Sequence, residues 1–401
     1  MKIIFIIYNI FEVKSGVSNK YINFINYLIK NNIDYLLLTT FEITPNETKY
    51  NIIKLKGIHV PFYPKIKIPI IEHKDLNEYV NNNDIIIFHS EFYWLYSLLY
   101  KIKLKKNVKL IPTWHTNYDY YCNLYFKNNS ILLKIKNILF QNLKNNFFSG
   151  LITTGEISKK IFLQYTSNVF NANEICFENF NQFTINTYDM KKEINIIYTG
   201  RIAIEKNLLL IIDILRELDK SEYKNYKMHF IGNGPYLDEL VNYIKKNGLN
   251  RKKIIFYGEI NDCDIIHIYK KLENRIFIQP SKSETFGKSC MEACFCGIPL
   301  FIIKCDIHEI LYNENNAFIF NDVNDFMKEI MLFFKLKNKY IEKVINNAFQ
   351  NACNYDQKVI FEKLKNFILN LQNYEKYDYY NEYIINYLFQ SIHESIKYIQ
   401  K

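Results

Sequence analysis

The 401-residue sequence predicts an α/β protein built from two doubly wound domains, and three observations carry that expectation. Short, continuous apolar runs recur, each leaving through a glycine or polar turn into a helical stretch, as buried parallel strands do. The length and the 49% hydrophobic content are enough for two ordinary cores and a poor fit to one. The pattern also starts afresh at residues 194–199, after a polar, Asn-, Glu- and Thr-rich stretch at 171–192 with no clear period. The expected domains are therefore 1–185 and 186–370, with 371–401 as a C-terminal amphipathic helical extension packing back on the N-terminal domain.

Taken in order, residues 3–8 read as a first buried strand. Ser15-Gly16-Val17-Ser18-Asn19 is expected as a turn before a helix at 20–30. Residues 35–39, 85–89 and 109–112 supply further strands, the last leading into Trp114-His115-Thr116-Asn117-Tyr118 at a strand end. Residues 149–154 are the expected last strand of the first domain. In the second, 194–199 runs into Gly200-Arg201-Ile202-Ala203-Ile204-Glu205-Lys206-Asn207, 227–231 into Gly232-Asn233-Gly234-Pro235, and 254–257 into Gly258-Glu259-Ile260. Residues 275–278 form another strand, 289–296 a buried helix, and 321–370 terminal helices.

The densest signal is QPSKSETFGKSCMEACFCGIP at 279–299, leaving a strand end, where open α/β sheets hold their ligands. The start of the following helix presents free N–H groups that favour an anion. Glu284 on the loop and Glu292 in the helix place two carboxylates able to grip hydroxyls. Each glutamate has a bland alternative, solvation for the first and simple pairing for the second. Arg201 and Lys206 straddle a strand-to-helix turn, where a planar fork and a point charge suit a diphosphate. Cations at a helix start are electrostatically unfavourable without an anion, which argues for a ligand there.

Glu284, the Thr285-Phe286-Gly287 turn, Glu292 and Cys296-Gly297-Ile298-Pro299 resemble the Glu-x7-Glu signature of the retaining GT-B glycosyltransferases of family 4. The 200–207 motif, Gly232-Asn233-Gly234-Pro235 and the glycine at 258 match further landmarks of that family in the same order. Around Ser15-Gly16-Val17-Ser18, His59-Val60-Pro61-Phe62-Tyr63-Pro64 and His115 the chain is similar to the sub-group of sulfoquinovosyl- and mannosyl-diacylglycerol-type enzymes. The resemblance covers about residues 1–365 and implies a GT-B fold of two Rossmann-like domains facing a cleft.

It implies transfer of a sugar from a UDP- or GDP-sugar to a lipid or glycan acceptor with retention. On that reading Arg201 and Lys206 stabilise the leaving diphosphate, Glu284 holds donor-sugar hydroxyls, and His115 lies beside the transferred sugar. Glu292 would meet the ribose, the N–H groups of Phe286 and Gly287 the sugar or phosphate, and the backbone near Ile260 the base. Gly16, Gly200 and Gly232 would let the backbone approach the donor, with Thr285 in the same turn. The sequence departs from the family where Cys305 and Asp306 stand for two glycines before Glu309, and where Asn316-Ala317 replaces Asn-Gly.

Fifty-one Lys and Arg against forty-one Asp and Glu give a net charge of +10, which suits an anionic donor or anionic membrane surface. Nucleic acid is not the expected partner. The eight cysteines have no zinc spacing, and Cys290, Cys294 and Cys296 are expected as reduced, structural thiols. Asp262-Cys263-Asp264 has the look of a metal clamp but sits where a helix should begin, so capping is the expected role and neither metal nor cofactor is expected. No apolar run suggests a signal peptide or a membrane span, so a cytoplasmic enzyme, peripheral on the cytosolic face of a membrane, is the expectation. Two rivals are a basic membrane- or nucleic-acid-binding protein that has lost catalysis on the same fold, and a sugar-nucleotide epimerase.

Overall fold

The computed structural model describes residues 1–12, 16–40, 49–60, 63–92, 95–115, 137, 139–175, 188–282, 284 and 286–372. The chain packs as two units, Met1–Ala172 with the described residues from Phe361 onward, and Asn173–Ile360.

The first unit holds a seven-stranded sheet of β1 (Ile3–Ile6), β2 (Tyr35–Thr39), β3 (Ile52–Lys54), β6 (Ile85–His89), β7 (Lys109–Trp114), β8 (Leu151–Thr153) and β9 (Val169–Asn171). Their order is β3-β2-β1-β6-β7-β8-β9, and every pairing is parallel. The strands β4 (Lys56–Val60) and β5 (Tyr63–Ile70) form a separate antiparallel pair. β1, β2 and β6 are buried along their whole length, which is why their sequences run apolar without alternation.

The first helix spans Gly16–Lys30, so residues 16–19, expected as a turn, form its first turn instead. Tyr21, Phe24, Ile25 and Leu28 repeat at helical spacing and are all buried, and extending the helix back to residue 16 continues that periodicity. The last described helix, Gln357–Asn370, enters the first unit at Phe361, whose ring packs 5.1 Å from Phe24.

The second unit holds β10 (Ile194–Thr199), β11 (Tyr226–Ile231), β12 (Ile254–Gly258), β13 (Arg275–Gln279), β14 (Leu300–Ile303) and β15 (Phe318–Phe320). All are parallel, in the order β12-β11-β10-β13-β14-β15. The chain winds outward from β10 in one direction and from β13 in the other, so the order reverses between those two strands. Its core joins Ile196, Tyr198, Phe230, Ile276 and Phe301 to the apolar stripes of the helices Leu209–Asp219 and Val323–Lys335. Residues 321–370 resolve into three helices, Val323–Lys335, Asn338–Cys353 and Gln357–Asn370. Among the described residues no helix is long and apolar enough to cross a membrane. Of the extension expected at 371–401, only its first two residues lie within the described chain.

Candidate active site

The strand order of the second sheet reverses between β10 and β13, the place where open α/β sheets bind ligands, and motif residues meet at the carboxyl ends of those two strands. After β10 the backbone turns at Gly200 and forms a short 3-10 turn, Ile204–Lys206, closed by Asn207 in the left-handed region at φ 54°. The amide of Asn207 donates to the Pro280 carbonyl at 3.1 Å, and the Ser281 hydroxyl donates to the Glu205 carbonyl at 3.4 Å. These two bonds lock the β10 turn to the β13 loop. Lys206 Nζ then reaches Glu284 Oε1 at 2.6 Å, with both side chains largely shielded.

Arg201 pairs with Glu205, whose side chain is 2% exposed while the arginine remains 45% exposed. The Tyr198 hydroxyl, donating to the Arg201 carbonyl at 3.0 Å, fixes the backbone beneath. Glu292 faces Lys288 at 3.3 Å, one turn apart on the helix Lys288–Phe295. That helix begins after Gly287, which holds φ 73°, a left-handed turn suited to glycine. Phe286 is buried against Tyr355, ring centroids 4.9 Å apart, so the loop is anchored from behind. Thr285 lies outside the described residues.

Gly200, Gly232 and Gly258 close the ends of β10, β11 and β12. Gly232 N–H donates to the Gly258 carbonyl at 2.8 Å, and Gly200 N–H to the Ile231 carbonyl at 2.9 Å. A side chain at Gly232, whose φ is 132°, would place its Cβ 2.1 Å from the Gly200 carbonyl oxygen. Ile260 follows this cluster, just before the helix Asp262–Lys271. That helix takes Asn261 as its N-cap and Asp262 as its first residue, so Asp262 is not the cap itself. Cys290 and Cys294 are buried within the helix Lys288–Phe295 and Cys296 is buried at its end; burial raises all three thiols, as expected of small core residues.

Sequence reasoning missed His308, which sits on the helix Asp306–Leu311 where the family pattern loses its two glycines. It is fully buried, bonded through Nδ1 to the Ile303 carbonyl at 2.6 Å, and its Nε2 has no partner among the described residues. Burial lowers its pKa.

His115 belongs to the first unit, at the end of β7. Its Nε2 lies 3.3 Å from the Tyr21 hydroxyl, and its Nδ1 has no partner among the described residues. Burial, then His89 and then Lys20, hold its pKa well below the ordinary 6.5. His89, at the end of β6, was also missed. It stacks on Tyr8 at 4.8 Å, stands 5.4 Å from His115, and is pushed down to about 3 by burial. The sequence did carry a signal, since β1 and β6 are the first unit's own reversal point and His89 ends β6. Gly16 starts the helix that leaves β1, in the same unit.

Residues 181–351 match the family model Glycosyl transferases group 1. The chain is 23% identical over 381 residues to sulfoquinovosyl transferase SQD2 of Arabidopsis thaliana, covering 89% of this chain and 71% of that protein. It is 23% identical over 178 residues to alpha-monoglucosyldiacylglycerol synthase of Acholeplasma laidlawii, covering 44% of this chain and 43% of that one. Among solved structures it is similar to the lipopolysaccharide outer core galactosyltransferase WaaB in its apo form. The TM-score there is 0.64 at 16% identity, over 92% of this chain and 99% of WaaB. Two Rossmann-like sheets, the motif residues gathered at the strand reversal of the second and these matches together show a chain of the GT-B fold whose residues 181–351 form a glycosyl transferases group 1 domain.

Proposed function

We propose that the protein transfers a sugar from a UDP- or GDP-sugar to a lipid or glycan acceptor with retention of anomeric configuration. The observation that carries this reading is the Lys206–Glu284 pair at the strand reversal, flanked by Arg201 and Glu292. A nucleotide-sugar is the ligand class that answers all four groups: two phosphates for the cations, sugar hydroxyls for Glu284 and a ribose for Glu292. The leaving diphosphate gains charge as the glycosidic bond breaks, and fixed cations beside it stabilise that charge more than they stabilise the ground state.

Arg201 is held by Glu205 with its side chain 45% exposed, a planar fork suited to a phosphate. Thr285, Phe286 and Gly287 would serve the sugar and phosphate, Gly200 and Gly232 the close approach of the backbone, and Ile260 the base. Gly16 and His115 would serve the sugar. The diphosphate is neutralised by side chains on this reading, so the reaction needs no metal and no further cofactor. A lipid acceptor draws support from the likeness to the diacylglycerol synthase and from the +10 charge, which favours peripheral contact with an anionic membrane from the cytoplasmic side.

The test is a thermal-shift screen of UDP- and GDP-sugars on the full chain, followed by hydrolysis and transfer assays with diacylglycerol in anionic liposomes and with glycan acceptors. Stabilisation by one nucleotide-sugar and transfer with an unchanged anomeric configuration are expected. Binding without transfer to any acceptor would favour the catalytically inactive alternative, and interconversion of donor sugars the epimerase.

A further inference from the structure

The hairpin of β4 and β5 carries a sheet face that the core of the first unit does not take up. Its register sets Lys56 opposite Ile70 and Ile58 opposite Ile68, so these side chains share one face, and Gly57, opposite Pro69, lies on the other. The Gly57 face is turned inward. A Cβ at Gly57 would stand 2.6 Å from the Thr40 side chain, and Pro69 is buried. Along the edge of β5 the Thr40 hydroxyl donates to the Lys67 carbonyl at 2.9 Å, and the Lys67 N–H donates to Asn9 Oδ1 at 2.8 Å. On the other face Ile68 reaches back to the core, but Ile58 is 61% exposed and Ile70 45%, with Lys56 exposed beside them.

Asn9 and Thr40 follow β1 and β2, so the hairpin is anchored at the carboxyl edge of the first sheet, the side on which open α/β sheets meet their ligands. Its charge has a single sign, since residues 48–71 contain five lysines and no aspartate or glutamate. Two copies of the chain meeting through this face would bring those lysines together. A soluble polyanion would answer the charges and leave the two isoleucines in water. An anionic lipid surface answers both, with phosphates for the lysines and the headgroup–acyl boundary for Ile58 and Ile70.

We propose that the open face of the β4–β5 hairpin docks the protein on an anionic membrane, with the carboxyl edge of the first sheet beside the bilayer. The inference rests on the lipid-acceptor reading above for what the enzyme meets in that membrane, whereas the exposure and charge of the hairpin do not depend on it. Leu104 supplies a control within the same unit. It is 62% exposed near the end of the helix Leu95–Lys105, also among lysines, but Lys103 and Lys106 there turn onto the backbone carbonyls of Phe147 and Val80. It also precedes β7, and so lies at the opposite, amino edge of the sheet.

The experiment is co-sedimentation of the full chain with vesicles of phosphatidylcholine alone or mixed with phosphatidylglycerol, at low and at high salt. Binding to the mixed vesicles, weakened by salt, is expected. Ile58→Asn combined with Ile70→Asn should weaken it by at least about tenfold, through the apolar area no longer buried in lipid. Lys56→Gln should weaken it by about fivefold, and Leu104→Asn should bind like the parent protein. All four side chains are exposed, so the variants should keep the parent's melting temperature. No binding to the mixed vesicles at low salt, equal binding to the neutral ones, parental binding by the isoleucine double variant or an equal loss in Leu104→Asn overturns the proposal. A dimer without lipid that the isoleucine changes dissociate also overturns it, because a second copy would then cover the face. Binding through the hairpin with no transfer to diacylglycerol from any donor defeats the lipid-acceptor reading and leaves the docking face standing.

Discussion

Lys206 Nζ and Glu284 Oε1 lie 2.6 Å apart across the two strands where the order of the second sheet reverses. The lysine side chain is 20% exposed and the carboxylate 11%, so each neutralises the other with little help from water. On the proposed reading, a donor bringing phosphate to one and hydroxyls to the other would replace this pair by two new contacts and so couple recognition of the two halves of the ligand.

Removing one partner of such a pair costs more than removing both, because the survivor is left uncompensated. Lys206→Met is expected to destabilise the protein by about 1–3 kcal/mol, and adding Glu284→Gln to recover part of that loss. Urea denaturation of the two single variants and the double variant measures the coupling. Additive losses would mean that the pair is not made in solution.

Gly232 and Gly248 make a controlled comparison of two left-handed glycines. Gly248 has φ 66° and nothing within 4 Å of an added Cβ, whereas at Gly232 an added Cβ meets the Gly200 carbonyl oxygen at 2.1 Å. Alanine at 248 should cost about 1 kcal/mol, for backbone conformation alone. Alanine at 232 should cost at least about 3 kcal/mol, because overlap with main chain adds to the strain. Denaturant midpoints of the two variants test the difference, and similar losses would mean that the three glycine turns are not packed together.

Burial lowers His89 from the ordinary 6.5 to about 3. Below 6.5 the unfolded chain therefore binds a proton that the folded chain refuses, so stability is full above that pH and is lost as pH falls toward 3. The contribution changes by up to about 1.4 kcal/mol per pH unit in that window. His115 is depressed in the same direction. Thermal melts between pH 7 and pH 5 should show this loss, and His89→Gln should flatten it. An unchanged slope in the variant would place His89 in contact with water.

Activity should survive EDTA, since the diphosphate charge is assigned to Arg201 and Lys206. A manganese requirement that maps to Asp262 or Asp264 would contradict that assignment.

Most strands of the two sheets were readable because parallel strands buried on both faces are uninterrupted apolar runs, and Tyr35–Thr39, Ile85–His89 and Ile194–Thr199 begin and end where those runs do; the short strands Ile52–Lys54, Val169–Asn171, Leu300–Ile303 and Phe318–Phe320 were not read. The start of the first helix was not, because Gly16, Ser18 and Asn19 have turn chemistry that burial of Ser18 and Tyr21 overrides. The hairpin of β4 and β5 escaped notice, since apolar and basic residues alternate there around prolines and a glycine. In the candidate site the charged residues were visible as a motif. Their partners were less so: Glu205 was quoted within its motif without a role, Tyr21 and His89 meet their neighbours only through contacts between distant segments, and His308 bonds the Ile303 carbonyl at the end of the preceding strand.

On the proposed function Lys206 acts on charge that develops during transfer, and Glu292 on a ribose held alike before and during it. Steady-state kinetics of Lys206→Ala and Glu292→Gln separate these two roles. For Lys206→Ala, kcat should fall by roughly 30- to 1000-fold, the kinetic equivalent of about 2–4 kcal/mol, with a small change in donor affinity. For Glu292→Gln, KM for the donor should rise with kcat nearly intact. A near-normal kcat in Lys206→Ala together with a lost kcat in Glu292→Gln would contradict the account.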